Sequence, residues 1–371
     1  MFCLRKITGF LFLTIFCMGF ILLFETHALA CSRVLSADNG QAVIVGRNMD
    51  WPDRGGGTDL WVLPRGVKRD GLAGKNSLSW ASKYGSIVAV SYTPDKKYAV
   101  VADGMNEKGL GVNSLWLEES DYGIRDKRLP GLCISLWAQY FLDNYATVEE
   151  AVASLKKPSY QIVTLVVPQG SNTATAYLHL SLEDKTGDSA IIEYKSGKAV
   201  IHHDRKYTVM TNDPPFEGQL DNLKQYEGFG GDKPLPGSTK AVDRFVRSAY
   251  YLKYLPKPAD IREAIAGLLS VTRNASQPFS TPVDPKHPYA SATIWRVIAD
   301  LTHDTYYFES TTSPYLIWVR LGAFNFNIFS QAMKLDLSAN TDRVGDVTGQ
   351  FVPAKQFEFA APNAQIDNLK K

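Results

Sequence analysis

Short blocks of apolar and β-branched residues recur along this chain between glycine, asparagine and proline positions, and each block reads as a strand. The first two, at 31–35 and 41–47, flank Ala37-Asp38-Asn39-Gly40 and are expected to pair as a hairpin. Blocks at 86–92, 98–102 and 110–117 add three strands, the last two separated by the turn Asn106-Glu107-Lys108-Gly109. Residues 132–155 read instead as a helical stretch, and Thr147-Val148-Glu149-Glu150 within it is a capping box. A strand-rich middle follows at 161–167, 176–182, 189–194 and 198–203. Helical periodicity then covers 243–254 and 259–271, and strands return at 293–300, 305–309 and 315–321. Strands outnumber helices and come in hairpin-sized groups, so the pattern predicts one α+β domain of antiparallel sheets with segregated helices. The Gly- and Pro-rich loop at 228–237 is too short to link separate domains.

The first 30 residues follow a different pattern. Arg5 and Lys6 precede an apolar run at 7–24, and Ala28-Leu29-Ala30 fits the small-residue site that a signal peptidase reads. Residues 1–30 are therefore expected to be a signal peptide and 31–371 the mature domain, secreted or periplasmic. Cleavage there gives Cys31 both a thiol and a free α-amine. Such a nucleophile can pass its proton to its own amine, which makes the start of the mature chain the expected active site. Two other readings use the same residues. An apolar run of this length also suits an uncleaved anchor, and a lipoprotein likewise begins at a cysteine. Ala28 and Leu29 do not match the leucine and small residue that lipidation prefers, and acylation would consume the amine.

Composition adds exclusions. With 40 Lys and Arg against 38 Asp and Glu the chain carries +2, falling to about +1 without the leader, so no strong field invites nucleic acid or an acidic membrane. Cys3 and Cys17 lie in the leader, leaving Cys31 and Cys133, which is no disulfide framework. Cys133 sits in an apolar stretch and reads as a buried structural residue. A papain-like pairing of Cys133 with His179 or His203 lacks any local signature. His202-His203 reads as a strand end rather than a metal site. No Gly-rich phosphate loop precedes a helix, so neither a metal nor an organic cofactor is expected.

Five motifs in order carry a resemblance: Cys31-Ser32-Arg33, Gly46-Arg47-Asn48-Met49-Asp50-Trp51, Gly104-Met105-Asn106-Glu107-Lys108-Gly109-Leu110, Thr211-Asn212-Asp213-Pro214-Pro215-Phe216 and Asp243-Arg244-Phe245-Val246-Arg247. Together the chain resembles the choloylglycine hydrolase family of N-terminal nucleophile hydrolases, which holds bile salt hydrolases and penicillin V acylases. The resemblance implies an αββα sandwich, a small amide substrate and a homo-oligomer, a tetramer. It also implies roles. Cys31 would attack the amide carbonyl, Arg47 would favour its thiolate, and Asp50 would orient the α-amine. Asn212 would donate to the oxyanion, and Arg244 would stand at a helix start near the nucleophile, with Arg247 its rival one turn later.

One position departs from the bile salt hydrolase pattern: Trp116 stands where that group has asparagine. With Trp51 directly after Asp50, it suggests a pocket that grips aromatic or alkyl acyl groups. These features resemble the Gram-negative branch, whose penicillin V acylases also take long-chain N-acyl homoserine lactones. A conjugated bile salt hydrolase, and a non-catalytic lipoprotein-type binding module, remain the alternatives.

Overall fold

The computed structural model describes residues 31–52, 56–157, 159–169, 172–279 and 291–362. The proposed signal peptide lies outside them. Two large sheets dominate. The first has seven strands in the order Val209–Thr211, β1 (Ser32–Ser36), β2 (Ile44–Trp51), Ala292–Asp300, Thr305–Ser310, Leu316–Arg320 and Gly345–Asp346. The second runs from Lys198–His203 through Ser189–Lys195, Leu178–Asp184, Leu110–Trp116, Tyr98–Asn106 and Ser86–Tyr92 to β3 (Thr58–Leu63), continuing into two short strands. Among the described residues five α-helices complete the fold: α1 (Trp137–Asn144), α2 (Val148–Leu155), α3 (Phe216–Leu223), α4 (Ala241–Lys253) and α5 (Ile261–Asn274).

Three buried clusters fix the layers. Val45, Val297, Tyr306 and Phe308 of the first sheet meet Leu60, Ile87, Ala89 and Met105 of the second, so the sheets pack face to face. On the outer side of the second sheet, Trp137, Phe141, Val148 and Val152 of α1 and α2 cover Val88, Val101 and Leu180. Against the first sheet, Phe245 of α4 and Ile265, Leu268 and Leu269 of α5 cover Val34, Ile44 and Ile298. The result is the αββα sandwich. The inner strands of each sheet are covered on both faces, and the five residues of β1 are accordingly all buried. Gly46 lets α5 sit close: a Cβ there would lie 2.6 Å from Thr272 Cγ2 and 2.8 Å from Ile298 Cδ1.

The expected elements return with shifted edges. β1 and β2 do pair antiparallel, with Arg33 opposite Arg47. β2 starts at Ile44 rather than 41 because the Asn39 side chain accepts from the Gln41 and Ala42 amides at 2.8 and 3.0 Å, curling that segment into the turn. The stretch 132–155 is not one helix. Gly131–Cys133 pairs in parallel with Gln161–Val163, and Tyr145 is extended between α1 and α2. Cys133 thus sits at a strand end, not in a helix interior. The capping box closes as expected in one bond, Glu150 N donating to Thr147 Oγ1 at 3.2 Å, while the Glu150 carboxylate reaches back to the Ala146 amide at 2.8 Å. The block 161–167 splits into Gln161–Val163 and Val166–Gln169. β3 and α3 answer to no expected element.

Candidate active site

Cys31 immediately precedes β1 and is 4% exposed. Its Sγ lies 3.7 Å from the Asp50 carbonyl oxygen and 4.0 Å from Met49 Sδ. Arg47 Nη2 stands 3.8 Å from that sulfur and donates to the Ser114 carbonyl at 2.8 Å, so the second sheet helps to hold the guanidinium. The Arg47 guanidinium also lies over the Trp295 ring, 4.7 Å from its centroid.

Arg244 joins the remaining predicted residues. From the first turn of α4 its Nη1 donates to the Cys31 carbonyl at 2.9 Å and approaches the Asp50 carboxylate at 3.5 Å. Its Nη2 reaches Asn212 Oδ1 at 3.4 Å, and Nε is taken by the Thr239 carbonyl at 3.0 Å. Asn212 Nδ2 donates to the Trp116 carbonyl at 2.7 Å, leaving the second hydrogen of that amide for another acceptor. Arg247 points elsewhere, to Asn274 Oδ1 at 3.0 Å and the Ser238 carbonyl at 2.6 Å. Cys31, Arg47, Asp50, Asn212 and Arg244 therefore form one buried group.

Asp50 has partners that the sequence did not reveal. Thr293 Oγ1 donates to Oδ1 at 2.5 Å, and Gln277 Nε2 donates to Oδ2 at 3.3 Å. Gln219 supports the other side, donating to the Asn212 carbonyl at 3.0 Å. A polar residue beside a helix end or a strand start is too common for any of the three to stand out by sequence.

Burial sets the electrostatics. It pushes the Cys31 thiol above its ordinary value, against the pull of Arg47; Asp50 adds to the rise and Arg244 opposes it. Burial likewise lifts Asp50, opposed by Arg244 and by the Thr293 and Gln277 hydrogen bonds. Two cations thus act on the sulfur, Arg47 in contact and Arg244 from the carbonyl side, and among the described residues no side-chain base touches it.

In front of the sulfur opens an apolar cavity of about 140 Å³, lined by Cys31, Arg47, Trp51, Tyr92, Trp116, Leu165, Leu178 and Ile294 among others. Trp51 and Trp116 meet edge to face at 5.8 Å between centroids, and Tyr177 also meets Trp116 edge to face at 6.3 Å. Trp116 Nε1 donates to Glu118 Oε2 at 2.8 Å, which fixes the indole.

Among the described residues Cys133 pairs with neither His179 nor His203. Cys133 Sγ is buried against the Ala360 carbonyl at 3.4 Å and Ser135. His179 and His202 both turn to Glu193, and His203 closes its strand against Asp188 at 2.8 Å. Glu149, Asp188 and His203 bring one ligand atom each to within 4.8 Å of one another, and none of the three lines the cavity.

Residues 31–334 match the pattern of the linear amide C–N hydrolases, choloylglycine hydrolase family. The chain belongs to that family. This choloylglycine hydrolase family member is 43% identical to a penicillin V acylase of Pectobacterium atrosepticum, over 90% of this chain and 93% of that one. A bile salt hydrolase/transferase of Clostridium perfringens is more distant, 29% identical over 56% of this chain and 67% of its own. Among solved structures, penicillin V acylase from Agrobacterium tumefaciens superposes with a TM-score of 0.77 at 43% identity, covering 89% of this chain and all of the other. A conjugated bile acid hydrolase from Clostridium perfringens, 22% identical with a TM-score of 0.68, shares the fold. The family member is thus a linear amide C–N hydrolase, and its family match begins at Cys31. Among its described residues no helix is long and apolar enough to cross a membrane.

Proposed function

We propose that this enzyme is exported, is cut between Ala30 and Cys31, and hydrolyses linear amides through an acyl-enzyme on Cys31. The observation that carries the reading is Cys31 Sγ at the base of an apolar cavity walled by two tryptophans. After cleavage the α-amine, with an ordinary pKa of about 7.7–8.0, takes the thiol proton, and Asp50 orients it. Sγ attacks the carbonyl carbon, and the oxyanion is met by the free N–H of Asn212 and a main-chain N–H at Trp116. Collapse returns the proton to the leaving amine and leaves a thioester, which water opens to the acid. Arg47 favours the thiolate, and Arg244 keeps the Cys31 carbonyl, Asp50 and Asn212 in mutual register.

The cavity matches one aromatic ring, since an apolar hole of about 150 Å³ is enough for benzene. We therefore infer a penicillin V acylase type of specificity, with long-chain N-acyl homoserine lactones as further substrates held by area at about 0.8 kcal/mol per methylene. Exposed Ile328, Phe329 and Val352 are apolar surface that subunit contacts would cover, which supports the homo-oligomer, a tetramer by resemblance.

The test is the purified protein on phenoxyacetyl amides, acyl homoserine lactones and glycine or taurine bile conjugates side by side. The reading requires kcat/KM to be higher for the first two classes than for the bile conjugates, and an intact mass that begins at unmodified Cys31. Preference for bile conjugates would move the enzyme to the bile salt hydrolase alternative. Turnover in Cys31→Ala, or activity in a chain that keeps residues 1–30, would sink the nucleophile.

A further inference from the structure

Between the two sheets, behind the Cys31 cavity, lies a buried acid that the mechanism above does not use. Asp103, in strand Tyr98–Asn106, is 2% exposed. Tyr306 donates its hydroxyl to Oδ1 from the opposite sheet, and Oδ2 has no hydrogen-bond partner. Facing it is Arg47, whose charge acts on both Asp103 and Tyr306, and whose Nε and Nη1 are buried without partners. Arg47 Nη2, by contrast, is spent on the Cys31 side, at Ser114 and Met49. The same guanidinium thus meets the thiol through one nitrogen, keeps two buried nitrogens without a hydrogen bond, and acts on Asp103 through its charge rather than through a direct bond.

The other buried charges around Asp103 are already matched. Glu183 is held by Arg33 through Nε and Nη2 at 3.0 and 2.6 Å and by Asn113, which stands opposite Asp103 in the sheet. Arg47 also acts through its charge on Asp50, but that carboxylate already has Arg244, Thr293 and Gln277 as partners, whereas Asp103 has Tyr306 alone. We propose that Asp103 is a positioning residue for the nucleophile: as the internal counter-anion of Arg47 it sets how much of that positive charge reaches Cys31 Sγ. When Asp103 is ionised the arginine is partly neutralised and the thiolate loses support; when Asp103 holds a proton the full charge faces the sulfur. Burial raises Asp103 to about 7, against the pull of Arg47 and of the Tyr306 bond, so both states are populated near neutrality. Glu183, through its charge, pushes in the same direction as burial.

The inference rests on Cys31 being the reactive thiol, and its test reads the thiol directly. The pH dependence of iodoacetamide capture at Cys31 is followed by peptide mass, which separates it from Cys133. Wild type is expected to show an inflection near pH 7 besides the step of the thiol and its α-amine, which is common to all variants. Asp103→Asn should lose that inflection and move the capture midpoint to lower pH by about one unit, the scale of one charge at this depth. Tyr306→Phe removes the donor that favours ionised Asp103, so its inflection should move upward; this variant decides the matter if Asp103→Asn fails to fold. A folded Asp103→Asn protein whose midpoint is unmoved or raised, or an unmoved inflection in Tyr306→Phe, overturns the proposal. Turnover in Cys31→Ala, measured separately, would overturn the nucleophile instead.

Discussion

Arg244 donates to the main-chain oxygen of Cys31 at 2.9 Å, a bond that ties the first turn of α4 to the entry of β1. The same fork reaches Asp50 and Asn212. A lysine keeps the charge but cannot reproduce three directed contacts. Arg244→Lys is expected to lower kcat at least about 100-fold, on the scale of a lost positioned donor, whereas Arg247→Lys should stay within a few-fold and show its effect in Tm. Steady-state kinetics with thermal melts of both variants decide it.

Thr293 and Gln277 hold down the pKa of a carboxylate that burial pushes up. Removing a donor therefore raises Asp50 further. Thr293→Val should shift the acid limb of kcat/KM toward higher pH by about one unit, and Thr293→Ser should restore it. An unchanged limb in the valine variant would mean that Asp50 does not titrate in the reaction.

Trp116→Phe keeps an aromatic wall and gives up the bond to Glu118. Its expected signature is a higher KM for phenoxyacetyl substrates with kcat nearly kept, because binding area and orientation are lost rather than transition-state contacts. Glu118→Gln, which can still accept from the indole, should leave KM close to wild type.

Gly46→Ala places a methyl against Thr272 and Ile298. Overpacking of this kind costs about 1–3 kcal/mol, read as a lower Tm, and Thr272→Ser in the same chain should recover part of it.

The strand Lys198–His203 was legible to the residue, and α4 and α5 to within three residues at their ends, because dense local periodicity needs no distant partner. The stretch 132–155 misled, since Gly131–Cys133 is a strand only through pairing with Gln161–Val163. β3 was hidden in a short apolar run after glycines, and α3 follows two prolines and is only eight residues long. The same division holds at the site. Cys31, Arg47 and Asp50 lie on or beside adjacent strands near the chain start and could be read together. Thr293 and Gln277 reach Asp50 across 243 and 227 residues, a relation that exists only in the folded sandwich.

Arg33 and Leu35 point into the gap between the sheets, and Cys31 Sγ meets Arg47, itself bonded to Ser114 of the second sheet, while Ser32 turns back to Asn48 and the helical layer. Sliding β1 by one residue would exchange these faces. A hydroxyl would then occupy the cavity and the thiol would lie under α4. The hydrogen-bond ladder of a central strand thus acts as the ruler that selects which atom meets the substrate. Loosening at that one end would silence the enzyme while the rest of the sandwich stays intact.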